Sequence, residues 1–276
     1  MCCALPSLAV GQRVSGPDTV VVQSGALSLR AVLWQPESRG PFPAVLFNHG
    51  SGHGSGVSGD IRDHREPNRL GPVFARHGYV FLYLFRRGDG LSRGQGDASG
   101  DLMDRAMASG GQQARDSIQL HLLETDEMSD ALAGLAYLRA LPIVDPGHVA
   151  VVGHSFGGSL TVLLAERDST LRAAVVFSAA GYSWDRSQRL RDRLLAAVDH
   201  VAMPVFFIHA AIDYSVNSGR DLAAEMTRLG KPGRVKIYPP VGRTPDDGHD
   251  FVHTMIPEWE PDVFAFLDEF VKRARR

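Results

Sequence analysis

The sequence predicts an α/β fold in which a mostly parallel sheet is covered by helices on both faces, and three observations carry that reading. Short apolar runs without polar alternation recur along the chain, which is the habit of strands buried on both faces. Stretches with apolar residues at helical spacing fill the gaps between them. The first two strand candidates are separated only by a tight glycine-containing turn, so the sheet opens with an antiparallel hairpin.

That hairpin joins Thr19 to Gln23 and Leu27 to Trp34 through Ser24-Gly25-Ala26, where Gly25 supplies a backbone conformation other residues resist. The buried strands follow: Ala44 to Phe47, Tyr79 to Phe85, Val149 to Val152, Ala174 to Phe177, Val205 to Ile208, and Val235 to Tyr238. Helices are expected from Asn68 to His77, stopped by Gly78, and from Asp126 to Ala140, where Met128, Leu132, Leu135 and Leu138 share a face. Two more run from Gly219 to Leu229, stopped by Gly230, and from Asp262 to Arg276. The stretch from Arg86 to Glu124 breaks the alternation and reads as a mobile loop or small lid, with a long surface helix as the alternative. No internal repeat or low-complexity linker divides the chain, so residues 1–276 are expected to form one domain.

Composition narrows the function classes. The 276 residues are 44% hydrophobic and 22% charged, as in a globular protein with a full-sized core. A net charge of −2, from 29 Lys and Arg against 31 Asp and Glu, offers no broad basic face. Nucleic acid and anionic membrane surfaces are therefore not expected partners. No apolar run approaches the roughly 20 residues that span a bilayer. The cysteines, Cys2 and Cys3, are adjacent and can neither staple a core nor provide metal-ligand spacing. No basic region followed by an apolar one is visible near the start, so a soluble, cytoplasmic protein is expected.

The sharpest chemical signal is Val149-Ala150-Val151-Val152-Gly153-His154-Ser155-Phe156-Gly157-Gly158, followed by a helix-compatible run to Ala165. It is G-x-S-x-G in the context that gives the motif meaning. A strand must turn abruptly into a helix at the serine, exposing its hydroxyl at the strand end, and the flanking positions must be small. A glycine-rich turn that merely packs is the structural alternative.

A serine hydroxyl needs a base, and the base needs a carboxylate to orient it. After such an elbow the expected chain order is serine, acid, histidine. Asp213 lies just past the strand Val205 to Ile208, at the sheet edge where open α/β folds place their sites. Asp185 is the runner-up acid. His249, in Gly248-His249-Asp250-Phe251 after the last strand, is the expected base, and His253 competes with it. The intervals Ser155 to Asp213 and Asp213 to His249, 58 and 36 residues, each leave room for one strand and helix.

Acyl transfer also needs two backbone N–H donors for the developing oxyanion. Phe156, at a helix N-terminus, is one candidate. Ser51 is the other, in the loop Asn48-His49-Gly50-Ser51-Gly52 that follows a buried strand, with Gly52 next to it. The glycine run is not a phosphate cradle, because no Lys-Ser/Thr follows it and it does not open a dinucleotide unit. His53, Asp60, Asp63 and His64 lack metal-ligand spacing and read as solvated loop residues, so no metal is expected. His49, Gly52 and His154 are possible pocket residues. Arg86 and Arg87 are also possible pocket residues, although together with Asp89 they read more readily as structural ion pairs than as substrate clamps.

These segments together resemble the α/β-hydrolase superfamily, in its dienelactone-hydrolase-like and prolyl-oligopeptidase-like branch. The resemblance rests on the Asn48 to Gly52 loop, Arg86-Arg87-Gly88-Asp89-Gly90-Leu91-Ser92, the Ser155 elbow, Asp213, and Gly248-His249. It implies an eight-stranded, mostly parallel sheet with an antiparallel start, matching the strand candidates above. Ser155 stands where dienelactone hydrolases proper carry cysteine and where haloalkane dehalogenases and epoxide hydrolases carry aspartate, which points away from those chemistries. The expectation is a serine hydrolase acting on a small-molecule carboxylic ester without a cofactor. A peptidase, amidase or thioesterase with the same triad is the alternative, as is a catalytically silent binding protein of the same fold. With so little net charge, a neutral substrate is expected rather than a strongly anionic one.

Overall fold

A computed structural model describes residues 13–54 and 59–272. Cys2 and Cys3, the residues Ser55 and Gly56 of the glycine run, and the end of the expected last helix from Arg273 lie outside the described residues.

Eight strands form one sheet among the described residues: β1 (Val14–Ser24), β2 (Leu27–Pro36), β3 (Phe42–Asn48), β4 (Val80–Phe85), β5 (Val144–His154), β6 (Ala173–Phe177), β7 (Val205–Ala210) and β8 (Gly233–Tyr238). Their spatial order is β1-β2-β4-β3-β5-β6-β7-β8. β1 pairs with β2 and β2 with β4 antiparallel, and every other pairing is parallel. The hairpin turn lies at Gly25, whose φ of 58° favours glycine.

The apolar runs become buried strands because successive residues face opposite layers. On β3, Ala44 and Leu46 pack with one helical layer while Val45 and Phe47 pack with the other; on β5, Val149 and Val151 alternate with Ala150 and Val152 in the same way. The first layer comprises α2 (Ser99–Glu124), α3 (Asp126–Ala140), α4 (Phe156–Arg167), α5 (Gln188–Val198) and α6 (Asn217–Arg228). α1 (Arg65–Arg76) and α9 (Ile256–Leu267) cover the other face, where Phe74 stacks with Phe81 and meets Phe264 edge-on. Two short helices, α7 (Pro245–His249) and α8 (Phe251–Thr254), lead from β8 into α9.

Four elements differ from the sequence reading. Residues 86–124 are not an extended loop: after a short turn at Gly90–Ser92, α2 takes up the remainder from Ser99, so the helical alternative holds. Gly111 adopts φ 68° and interrupts that helix, and only its ends bury apolar residues, Met103 on one side and Leu122 and Leu123 on the other. This is why its periodicity is weak in the sequence. α5 was not anticipated, although Leu190, Leu194, Ala197 and Val198 form its buried stripe. β8 is an edge strand with Val235 exposed, not a strand buried on both faces. The last helix begins earlier than expected, at Ile256, and ends in a wider turn over Asp268–Lys272. No helix among the described residues is long and apolar enough to cross a membrane.

Candidate active site

Ser155 sits between the end of β5 and the start of α4 with φ 57° and ψ −117°, a conformation that L residues adopt only when their surroundings impose it. The surroundings are the neighbouring backbone. A Cβ on Gly153 would lie 2.2 Å from the carbonyl oxygen of Gly157, and one on Gly157 would lie 2.1 Å from that of Asn48. The two flanking glycines therefore let β5, α4 and the end of β3 close on one another, and that contact forces the turn at the serine. The Ser155 amide donates to Phe177 O on β6 at 2.9 Å, which fixes the turn to the sheet.

Asp213 follows β7, and its carboxylate is nearly buried. Oδ1 accepts from His249 Nδ1 at 2.8 Å and from the Tyr214 amide at 2.8 Å. His249 ends α7, which is anchored by a capping box between Thr244 and Asp247. Gly248 precedes it because a Cβ there would meet the Asp213 amide at 2.7 Å. His249 Nε2 lies 2.8 Å from Ser155 Oγ. The three residues expected from the sequence thus converge from the ends of β5, β7 and β8.

Electrostatics follow the same geometry. Burial opposes the charge on Asp213, but hydrogen bonds from His209 and His249 outweigh it and hold the carboxyl well below the usual carboxylate range. With Oδ1 anionic, His249 Nδ1 carries its proton toward Asp213 and Nε2 is left as the acceptor for the serine hydroxyl. His154 is buried behind it and donates from Nε2 to the His249 carbonyl at 2.9 Å. Burial, reinforced by His249 and His253, lowers the His154 imidazole well below the ordinary histidine value, so it is neutral there.

The loop after β3 flanks the serine. Ser51 lines the same cleft as Ser155, and a Cβ on Gly50 would lie 3.6 Å from Ser155 Cβ. Phe156 is the first residue of α4, where a helix leaves its amides without intrahelical acceptors. His49, Gly52 and His154 line the cleft, which encloses about 310 Å³. His49 is nonetheless occupied in the protein: Nδ1 donates to Gly50 O at 2.7 Å, and Nε2 accepts from the Arg86 amide at 3.1 Å. Burial, aided by the Arg86 charge, lowers its imidazole well below the ordinary value.

Arg86 and Arg87 do not belong to the cleft. Arg86 is fully buried, its Nε donates to Glu127, and its Nη2 donates to the carbonyls of His49 and Gly50 at 2.9 Å each. It holds two successive carbonyls of the loop that lines the cleft. Arg87 pairs with Asp130 and Asp126 on α3. Asp185 lies apart from the triad and accepts from Asn217 Nδ2 at 3.1 Å. His253 packs edge-on against His154 and lies 3.7 Å from Glu66, so it does not reach the serine as a base.

Several residues escaped the sequence reading. Glu66, Tyr83 and Asp250 also line the cleft, with Tyr83 donating its hydroxyl to Glu66, and so does Asp89, which the sequence offered only as an ion-pair or clamp residue. Asp89 fits under Gly52, where a Cβ would overlap its carboxylate, and burial raises its carboxyl above the usual range despite the nearby Arg86. His209, at the end of β7, reaches Asp213 Oδ2; the signal available was a histidine at a strand end four residues before the acid. Among the described residues, no group of three or more His, Cys, Asp or Glu side chains is arranged to hold a metal ion.

Structurally, the chain is similar to an acylaminoacyl peptidase of Pyrococcus horikoshii (TM-score 0.66, 17% identity), covering 95% of this chain but 43% of that one. It thus spans under half the length of those peptidase chains. It is also similar to a Pyrococcus furiosus esterase (TM-score 0.63, 14% identity, 92% of this chain and 91% of the other). A dienelactone hydrolase of Anabaena variabilis matches with TM-score 0.59 and 17% identity over 95% of this chain and 99% of the other. The model of the dienelactone hydrolase family matches residues 29–254. The chain belongs to the dienelactone hydrolase family.

Proposed function

We propose that this protein is a serine hydrolase that cleaves carboxylic esters of small molecules through an acyl-enzyme. The observation that carries the reading is the hydrogen-bonded chain Ser155 Oγ, His249 Nε2, His249 Nδ1 and Asp213 Oδ1, with both links at 2.8 Å. His249 takes the hydroxyl proton as Ser155 Oγ bonds to the acyl carbon. The Phe156 and Ser51 amides receive the oxyanion. As the intermediate collapses, the carbon–oxygen bond to the alcohol breaks and His249 returns the proton to that leaving oxygen. A water molecule then repeats the sequence, and the acid leaves with Ser155 regenerated. No step calls for a cofactor.

An ester is favoured over an amide because the likeness to the Pyrococcus furiosus esterase runs the length of both chains, whereas the acylaminoacyl peptidase likeness is confined to part of that protein. Turnover of short p-nitrophenyl esters by wild type and Ser155→Ala tests the proposal. The variant should lose several orders of magnitude; undiminished turnover rules the serine out as nucleophile. An ester and an amide sharing one acyl group, assayed in parallel, separate esterase from amidase. A fluorophosphonate that fails to label Ser155 would indicate a silent binding protein.

A further inference from the structure

The carboxylate of Asp213 is gripped by two imidazoles. His249 Nδ1 is 2.8 Å from Oδ1, and His209 Nδ1 is 2.9 Å from Oδ2. His249 is accounted for by the reaction, whereas His209 touches neither the cleft nor Ser155. It is 1% exposed, at the end of β7, and its ring packs against Gly219 of α6, where a Cβ would lie 2.7 Å from its Cδ2.

Hydrogen-bond accounting determines where its protons are. Ser218 Oγ of α6 lies 2.5 Å from Ala179 O and 3.2 Å from His209 Nε2. A carbonyl oxygen only accepts, so the single hydroxyl proton of Ser218 is committed to Ala179. Ser218 and Ala179 are fully buried, so no bulk water can substitute. The contact between Nε2 and Ser218 Oγ then requires Nε2 to be the donor. At the other edge of the ring, Oδ2 belongs to an ionised carboxylate and also only accepts, so Nδ1 donates as well.

We propose that His209 is a positioning residue for this site: protonated on both ring nitrogens, it clamps Asp213 Oδ2 from the buried side and shares the carboxylate's charge. The clamp leaves Oδ1 facing His249 in the one rotamer that completes the chain to Ser155. The charge has a second effect. A cation on the far side of Asp213 weakens the field that the carboxylate exerts on His249.

The titratable groups facing this carboxylate are His209 from β7 and His249 from α7, with His154 of the elbow behind His249. α6 presents Ser218 and Gly219 to the His209 ring, and the Tyr214 phenol is hydrogen-bonded to Asp246.

The protonation statement is tested on the wild-type protein without reference to activity. Nitrogen-15 spectra of histidine-labelled protein at pH 7.5, with His209 assigned through its contact with Gly219, should show two protonated ring nitrogens. One protonated nitrogen overturns the proposal. The electrostatic statement rests on the serine-hydrolase reading and is tested with His209→Gln, which keeps a donor for Oδ2 and removes the charge. The acid limb of kcat/KM for p-nitrophenyl acetate should move up by about one pH unit. A purely structural histidine predicts a lower kcat with the limb unmoved, and that result in a folded variant overturns the proposal. If His209→Gln does not fold, the wild-type spectra decide. Failure of a fluorophosphonate to label wild-type Ser155 would instead sink the serine-hydrolase reading and leave the spectra to be judged on their own.

Discussion

Arg86 is paired with Glu127 beneath the loop that follows β3, and the same guanidinium holds the carbonyls of His49 and Gly50. Both members of the pair are 1% exposed. A buried charge pair of this kind adds little over a well-packed apolar pair, but removing one member leaves the other stranded. Its consequence here is local, because the guanidinium fixes two successive carbonyls of the loop that carries Ser51 and Gly52 along the cleft.

Glu127→Ala should therefore destabilise the protein by about 3–5 kcal/mol, the usual cost of breaking a buried pair, measured by urea denaturation at pH 7.5. Arg86→Met frees the two carbonyls as well, and should lower ester turnover by roughly 10²-fold, comparable to loss of one oxyanion donor. Wild-type turnover in a folded Arg86→Met protein would show that the loop keeps its shape without the arginine.

Gly157→Ala places a methyl group 2.1 Å from Asn48 O and 2.2 Å from His49 O. Both are backbone atoms at the end of β3 and cannot swing aside. The expected outcome is a loss of about 3 kcal/mol, at the upper end of overpacking costs, together with a displaced Ser155 and impaired turnover. Equilibrium unfolding and an ester assay on the same preparation check it; unchanged stability would mean the strand end yields more easily than the sheet pairing suggests.

Asp213→Asn and Asp185→Asn separate the two acids weighed from the sequence. The first should lower kcat by about 10⁴-fold, because the amide presents the wrong donor and acceptor to His249 and favours the wrong tautomer. The second changes a carboxylate that accepts from Ser215 and Asn217, away from His249, and should leave kcat within about twofold of wild type. Equal losses in both would reassign the acid.

Two buried imidazoles set a stability profile. His49 and His154 are held neutral in the folded protein, well below the ordinary histidine value, while in the unfolded chain they take up protons near pH 6.5. Below that pH the unfolded state binds more protons, so stability must fall as the solution is acidified. The slope approaches about 1.4 kcal/mol per pH unit for each group. Asp213 acts in a different window: its folded carboxyl is lowered, so its contribution is complete above the unfolded value near pH 4 and is lost only as pH falls further. Urea denaturation at pH 6.5, 6.0 and 5.5 should show the histidine slope, in the window where a histidine already protonated in the folded protein no longer opposes it, and a flat profile across that range would contradict the neutral assignment.

Particular residues show how much could be read in advance. The Ser155 elbow was legible because all of its constraints are local: an apolar strand, two glycines and a helix lie within about twenty residues of chain. Asp213 and His249 were legible because each follows a recognisable strand, and strand ends in a parallel sheet collect on one edge. α2 was obscure because Gly111 breaks its periodicity and most of its surface is not buried. His209 was not legible as a site residue, because nothing in the flanking sequence reveals that its ring nitrogens meet Asp213 on one side and Ser218 on the other.

The sequence by itself determined the alternation of strands and helices, the strained serine, and the order of serine, acid and histidine. All of these rest on hydrophobic periodicity and short-range steric demands. Only the tertiary structure decided that Arg86 supports the loop and does not line the cleft, that Glu66 and Tyr83 line the same cleft as the serine, and that a second histidine grips Asp213. Those facts depend on which partner a buried charge or hydroxyl meets across the sheet, tens of residues away in sequence, where burial forces each donor and acceptor to find a partner without specifying which one.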